Sequence, residues 1–333
     1  MATMKLMTQS KLGPDLGLPA SSEEQEAESR STCLCGASES SLHLLAPDRF
    51  HGRTTLYELR RCPQCALVWL HNRPSPKEMS DHYGADYDKS VTAADSDPKR
   101  WTSRVNVISR YKQRGAVLDL GCSSGGLLQA LGSECWDLYG VEMSHEVARV
   151  AESTSGAKVF VGDILDAPWP PNSFDVITCF HLLEHTYEPL EVLKRISRWL
   201  KPGGIFYLMV PNIDSAGFQI FGSCWYALEL PRHLYHFSPR SLSHLSALAG
   251  LECLTLSTHR EVFIENSVRY CVDDALRRIG RLRTPLAYAP EPGLPFRVLR
   301  KGFRLTLLPL LERFAGVAGS GESIHAIYQK PMQ

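Results

Sequence analysis

The feature that most constrains this chain is a run of short apolar segments alternating with helix-type segments from residue 116 to residue 212. Ala116-Val-Leu-Asp-Leu120 reads as a buried strand and is followed by the glycine turn Gly121-Cys-Ser-Ser-Gly-Gly126, with a helix from about Gly125. Further strands are expected at Asp137–Glu142, Lys158–Val161, Phe174–Cys179 and Ile205–Val210. Helices are expected at His145–Ser153, capped by Ser144, and from Pro189 to Leu200, with Lys201-Pro-Gly-Gly204 as the stop. Ser238-Pro239 opens another helix to about Ala249, and strands follow at Glu252–His259 and Ser323–Gln329. Strands alternating with helices imply parallel pairing through crossovers. The expected fold is therefore α/β, a doubly wound, mostly parallel seven-stranded sheet of Rossmann-like type.

In such a sheet the carboxyl ends of the strands line one crevice. Gly121 permits a sharp turn and close approach of a ligand to the backbone. A helix starting near Gly125 would aim amide groups at a carboxylate or phosphate above the turn. Glu142 ends the second strand, 23 residues after Asp119, where a carboxylate can accept both hydroxyls of a ribose. Asp163 ends the third strand and can accept from an exocyclic adenine amine, with Ile164 against the ring. Any one of these features alone is commonly a tight connection or a helix cap; four at consecutive strand ends point to a nucleoside. A nicotinamide dinucleotide is the rival ligand. Its pyrophosphate calls for Gly-x-Gly-x-x-Gly, whereas Ser123 stands at the second glycine position and Asp119 adds a negative charge.

Segment 116–212 resembles a class I S-adenosylmethionine (SAM)-dependent methyltransferase (type 11, 12 or 23). Asp119-Leu-Gly-Cys-Ser-Ser-Gly125, Val141-Glu142, Gly162-Asp163, Phe174-Asp175, His181-Leu-Leu-Glu-His185 and Leu200-Lys-Pro-Gly-Gly204 carry the likeness. The resemblance implies SAM as cofactor, held by Asp119, Gly121, Ser123, Gly125, Glu142, Met143, Asp163 and Ile164. Ser123 departs from the middle glycine of many members. The run His181–His185 is also similar to the Glu-x-x-Glu-His of ubiquinone-pathway O-methyltransferases, which binds a divalent ion; here His181 replaces the first acid.

Ten cysteines in 333 residues are too few and too scattered for a disulfide framework, but four form two close pairs, Cys33-Leu-Cys35 and Cys62-Pro-Gln-Cys65. Paired thiolates on two turns suit a structural Zn²⁺. The segment resembles the small zinc-binding, zinc-ribbon-like module that precedes the methyltransferase domain in many bacterial proteins, where the first pair is usually Cys-x-x-Cys. The expected organisation is an acidic, polar, disordered tail over 1–30, the zinc module over 31–75, linking helices over 76–113, and the methyltransferase domain over 114–333 with a helical insertion at about 261–320.

His181, just past the fourth strand, is a candidate base for the acceptor's proton. The loop Trp225-Tyr-Ala-Leu-Glu-Leu-Pro-Arg-His-Leu-Tyr-His-Phe-Ser-Pro239 is similar to a run facing the acceptor in related methyltransferases. It offers His233 as a second catalytic candidate and Arg232, Tyr235 and His236 as substrate contacts. Lys+Arg equals Asp+Glu at 36 each, so a strongly basic nucleic-acid binder is disfavoured. Residues 260–333 hold twelve Lys/Arg against seven Asp/Glu. The mixed basic and apolar run Phe296–Leu311 could lie on an anionic membrane surface, although a helical cap over the sheet is the preferred reading. No 18-residue apolar run and no secretory leader is read. The expectation is a cytoplasmic enzyme, with possible peripheral membrane contact, that methylates a small-molecule, sugar or lipid-linked acceptor at O, N or C. The alternatives are a non-catalytic SAM-sensing or recruitment module and an NAD-dependent oxidoreductase.

Overall fold

The computed structural model describes residues 28–83, 98–261, 263–278 and 320–332. Residues 1–27 of the expected tail and most of the C-terminal insertion, including Phe296–Leu311, lie outside the described residues; the last part of that tail is ordered instead, Glu28–Ser29 pairing with Asn72–Arg73. Five short strands come first: β1 (Glu28–Ser29), β2 (Ser41–Pro47), β3 (Leu56–Arg61), β4 (Val68–Leu70) and β5 (Asn72–Arg73). Helix α1 (Pro76–Met79) is held by a capping box in which Ser75 and Glu78 bond each other's backbone. Helix α2 (Pro98–Ser109) leads into the main sheet.

The main sheet contains β6 (Gly115–Leu120), β7 (Trp136–Glu142), β8 (Lys158–Val161), β9 (Phe174–Phe180), β10 (Leu200–Pro211), β12 (Glu252–His259) and β13 (Ser323–Gln329). Their order is β12-β13-β10-β9-β6-β7-β8. Pairings among β6 to β10 are parallel, and β13 runs antiparallel to both β10 and β12. The sheet expected from the sequence is thus present with all seven strands. Crossovers are made by α3 (Gly126–Leu131), α4 (His145–Ser155) and α5 (Pro189–Trp199), followed by α6 (Ala216–Phe221), α7 (Pro239–Leu248) and α8 (Phe263–Arg278). Strand order reverses between β6 and β9, the switch point at which open α/β sheets bind ligands.

β9 and β10 are buried almost throughout because helices cover both faces, which is why they read as continuous apolar runs. Leu193, Ile196 and Trp199 of α5 are fully buried and seal one side; Leu127 and Leu128 of α3 with Ile108 of α2 seal the other. A second sheet, ordered β11-β4-β3-β2, joins the N-terminal strands to β11 (Tyr235–His236), a piece of the loop after β10. No helix among the described residues is long and apolar enough to cross a membrane.

Candidate active site

The turn after β6 combines three left-handed backbone positions: Gly121 (φ +68°), Ser123 (φ +47°) and Gly125 (φ +83°). A side chain at Gly125 would press on the Ala151 backbone at 3.0–3.1 Å, so α3 and α4 can meet only over a glycine. Ser123 takes the strained region without being glycine, and such strain persists where surrounding contacts hold it. Glu142 supplies that hold. Its carboxylate accepts from Ser123 N (3.1 Å) and Ser144 N (3.0 Å), which fixes its orientation at the end of β7. Two amide bonds leave a carboxylate further lone pairs for ligand hydroxyls.

Asp119 is 96% buried at the end of β6 and accepts from Thr178 Oγ1 at 2.6 Å across the β6–β9 register. Asp163 follows β8 and accepts from Leu165 N at 2.7 Å, capping the short turn Ile164–Asp166 while remaining exposed; Ile164 is buried. Met143 is 68% exposed. Asp119, Glu142 and Asp163 therefore stand at the carboxyl ends of three adjacent parallel strands, with the strained turn between them. The helix beyond the turn has only six residues, so the turn's own amides, rather than a long helix dipole, face a ligand.

Sequence reading missed Arg104. It lies on α2, 92% buried, with its guanidinium 4.8 Å from the Trp101 ring and 4.7 Å from the Phe180 ring. Its Nη1 has no hydrogen-bond partner among the described residues. Burial, and then Arg100, pull its pKa down to about 10, while Tyr207 and Asp119 oppose the shift. A buried, underbonded guanidinium is a group that an anionic ligand could satisfy, and Asp119 is among the charges that act on it. The only advance signal was an arginine one turn after Trp101 in a helix that also carries Val105, Val107 and Ile108.

Past the switch point, β9 ends at Phe180 and His181 takes φ +54°. Its amide donates to Met209 O (2.9 Å), its side chain is 29% exposed, and Nδ1 lies 3.6 Å from Glu184 Oε1. Glu184 is 1% exposed. His185 Nδ1 is 3.1 Å from both Arg232 O and Tyr83 Oη. Burial, reinforced by His233, lowers the His185 pKa to about 4.

The loop that carries the other candidates is drawn into the N-terminal sheet. Tyr235 and His236 pair with Trp69 and Val68. Tyr235 is 1% exposed; its hydroxyl donates to Tyr187 O (3.2 Å) and accepts from Arg30 (2.9 Å). His236 is 3% exposed, with Nε2 3.1 Å from Leu228 O, and burial takes its pKa to about 3. His233 Nδ1 is 2.9 Å from Ala227 O, and burial lowers its pKa to about 3. Arg232 pairs with Glu229 (2.8 Å) and stacks 4.0 Å over the Phe50 ring. All four side chains are thus packed inward, held chiefly by the protein's own groups.

Phe50 belongs to the β2–β3 connection, whose role the sequence did not announce. Arg49 bonds Ser223 O (2.7 Å) and pairs with Asp274. Asp48, fully buried, accepts from His51 N and lies 2.9 Å from His51 Nδ1. The N-terminal module therefore forms a wall of the region next to His185 and Arg232.

In that module Cys33 and Cys65 place their sulfurs 3.5 Å apart, and Cys35 and Cys62 3.6 Å apart; all four lie within 4.8 Å of one another. Thiolates around Zn²⁺ at about 2.3 Å stand about 3.8 Å apart, so the donor set fits a tetrahedral ion. The tighter Cys33-x-Cys35 spacing is accommodated by a turn at Gly36 (φ +90°), with Cys33 N bonded to Ala37 O. The thiols split one another's acidity: the hydrogen bond with Cys33 pushes Cys65 down to about 5, and its counterpart pushes Cys33 up.

The sequence profile of a family described as "Methyltransferase domain" matches residues 94–256. A ubiquinone biosynthesis O-methyltransferase of Pseudomonas aeruginosa is 33% identical over 148 residues, covering 41% of this chain and 64% of that protein. One of Paraburkholderia phymatum is 32% identical over 147 residues, covering 40% and 63%. The chain thus spans less than two thirds of the length of these curated relatives. Among solved structures, a SAM-dependent methyltransferase from Archaeoglobus fulgidus aligns over 70% of this chain and 95% of its own, at 16% identity and a TM-score of 0.47.

Proposed function

We propose that the chain is a class I SAM-dependent methyltransferase acting on a small-molecule acceptor, and on an oxygen atom in preference to nitrogen or carbon; the match of residues 94–256 to the methyltransferase-domain profile supports this reading. The observation that carries the reading is the row Asp119, Glu142 and Asp163 at the ends of adjacent strands around the strained turn. The names of the relatives support oxygen as the target.

Glu142 would accept the ribose hydroxyls, Asp163 the adenine amine through its second oxygen, and Ile164 the ring face. Asp119 and carbonyls of the turn would face the methionine ammonium, and the turn amides with Arg104 its carboxylate. The cofactor supplies a methyl group already activated on a sulfonium, so the protein's contribution is alignment and removal of the acceptor proton. His181 is suited to that removal. It sits at the carboxyl end of β9, half-exposed, next to the cofactor residues. His181 would take the acceptor's proton as the acceptor oxygen received the methyl group, for which the bound cofactor would supply the activated carbon and a thioether leaving group.

We further propose that Cys33, Cys35, Cys62 and Cys65 hold a structural zinc, that Arg232, His233, Tyr235 and His236 build the acceptor wall from behind, and that the protein works in a reducing compartment. None of the ten cysteines is in a disulfide, in keeping with that setting. Turnover tests the catalytic part: on a panel of hydroxylated acceptors, formation of S-adenosylhomocysteine (SAH) is expected with wild type and strongly reduced in His181→Ala. SAM binding without turnover on any acceptor would instead favour a sensing module, and protection by NAD alone would favour an oxidoreductase.

A further inference from the structure

A cofactor across β6, β7 and β8 leaves the ends of β9, β10 and β13, beyond the switch point, for the acceptor. One row of residues crosses those three strands. Phe180 pairs with Met209, and Met209 pairs with His325. Residues paired on neighbouring strands share a face of the sheet, so these three side chains stand side by side. Adjacent strands lie about 4.8 Å apart, which sets His325 about 10 Å from Phe180. His181 follows Phe180 directly, and its amide bonds Met209 O at 2.9 Å. The candidate base and His325 are thus fastened to the same residue of β10.

The two ring nitrogens of His325 are treated differently. Nδ1 lies 3.4 Å from Tyr207 Oη, whereas Nε2 is buried and has no hydrogen-bond partner among the described residues. Burial raises the Tyr207 pKa, so the phenol keeps its proton and donates it to Nδ1. Burial, reinforced by His259, takes His325 down to about 3, so its ring is neutral and its one proton sits on Nε2. The His259 ring stacks on it, centroids 4.0 Å apart at 26°, and holds its plane. The result is an oriented, buried N–H with nothing to donate to, and such orphans are rare in folded proteins unless a ligand completes them. A second lies close by. Arg104 Nη1 is also buried without a partner among the described residues, its guanidinium 4.7 Å from the Phe180 ring, and Phe180 meets Tyr207 edge-on at 4.8 Å. Both orphans on this face are donors.

We propose that His325 selects the acceptor: its Nε2–H holds a carbonyl-type oxygen of the substrate, from a carboxylate or a neutral carbonyl, while the group to be methylated reaches His181. The substrate class is then a hydroxylated compound that bears such an oxygen away from its reacting hydroxyl, within the roughly 10 Å between β9 and β13. Tyr207 and His259 are positioning residues that fix the tautomer and the plane of the His325 ring. A site built to donate one hydrogen bond rejects an analogue lacking the oxygen far more strongly than an apolar pocket rejects a missing methylene. The inference rests on the reading of the region ahead of His181 as the acceptor side.

The experiment uses the full chain saturated with SAH, so that the cofactor groups are engaged. The probes are cyclohexanecarboxylate, for the anionic oxygen, and cyclohexanecarboxamide, for the neutral one. Proton–nitrogen correlation spectra of the imidazole rings report on His325 directly, its signals assigned by their loss in His325→Gln. In wild type the ring is expected to be neutral with its proton on Nε2, and at least one probe should shift that N–H. The probe's dissociation constant should rise about fivefold or more in His325→Phe, the scale of one lost hydrogen bond. His325→Gln, whose amide N–H reaches near the place of Nε2, should retain binding within about twofold to threefold. Thermal unfolding shows whether each variant folds; should His325→Phe fail to fold, the ring shift in wild type still decides. No shift of the His325 N–H by either probe, or equal affinity in folded His325→Phe, overturns the proposal. SAH affinity is read by calorimetry on the same samples. Its persistence alongside absent probe binding rejects the His325 assignment and leaves the methyltransferase reading standing.

Discussion

At the scale of single residues, backbone strain and unpaired buried charge mark the working positions. Gly125→Ala would put a Cβ against the Ala151 backbone in a left-handed conformation. It is expected to cost about 2 kcal/mol or more and to lower the melting temperature measurably. Arg104→Leu should leave the fold intact, since the guanidinium stacks on Trp101 and Phe180 and its Nη1 has no bond to lose. It should nevertheless weaken SAH binding about tenfold, the scale of one lost charge-assisted contact; calorimetry on the folded variant checks it. Glu142 and Asp119 were legible in the sequence because a strand end is fixed by hydrophobic pattern. Arg104 was not, because its partners Trp101 and Phe180 lie on separate elements and only the fold brings them together. Glu184 was visible within His181–His185, but its burial was not, since burial at that spot depends on the loop around Leu234.

Among elements, the strands and crossover helices of the main sheet follow their sequence signals closely. The segments read as strands at 158–161, 252–259 and 323–329 become β8, β12 and β13 with the same bounds. Ser238 caps α7 through a capping box with Ser241, and Ser238→Ala is expected to destabilise the protein by about 1 kcal/mol in denaturant unfolding. What the sequence concealed is β11. Two residues carry no pattern, and their partner strand β4 lies some 160 residues earlier in the chain, so the pairing is written in tertiary contacts alone. The consequence is a link between the cysteine module and the acceptor loop. Metal analysis of purified protein should give about one zinc per chain beyond any loosely held ion. Stripping that zinc with a chelator is expected to raise amide exchange across 226–238 through loss of β4 order, while exchange in β6 and β7 stays slow. Equal deprotection of both regions would mean that the two sheets unfold as one unit.

For the whole molecule, buried neutral histidines set the pH response. Burial lowers His236 to about 3, and burial together with His259 and His181 lowers His325 to about 3, both far below the ordinary 6.5. The unfolded chain binds these protons first as pH falls below 6.5, so the stability that neutral burial contributes is complete above that value. It is lost progressively towards pH 3, at up to about 1.4 kcal/mol per pH unit for each group. The midpoint of urea unfolding should therefore fall steeply between pH 6.5 and 4.5, and His325→Gln should flatten the slope. The central claim is narrower: a SAM-type nucleoside lies across the carboxyl ends of β6, β7 and β8. Isothermal titration of the intact protein with SAH tests it most directly. The account expects one site per chain, weakened about tenfold or more in Glu142→Ala and in Asp119→Ala while both variants keep their fold. An absence of SAH binding to folded wild type, or equal affinity in all three proteins, would contradict it.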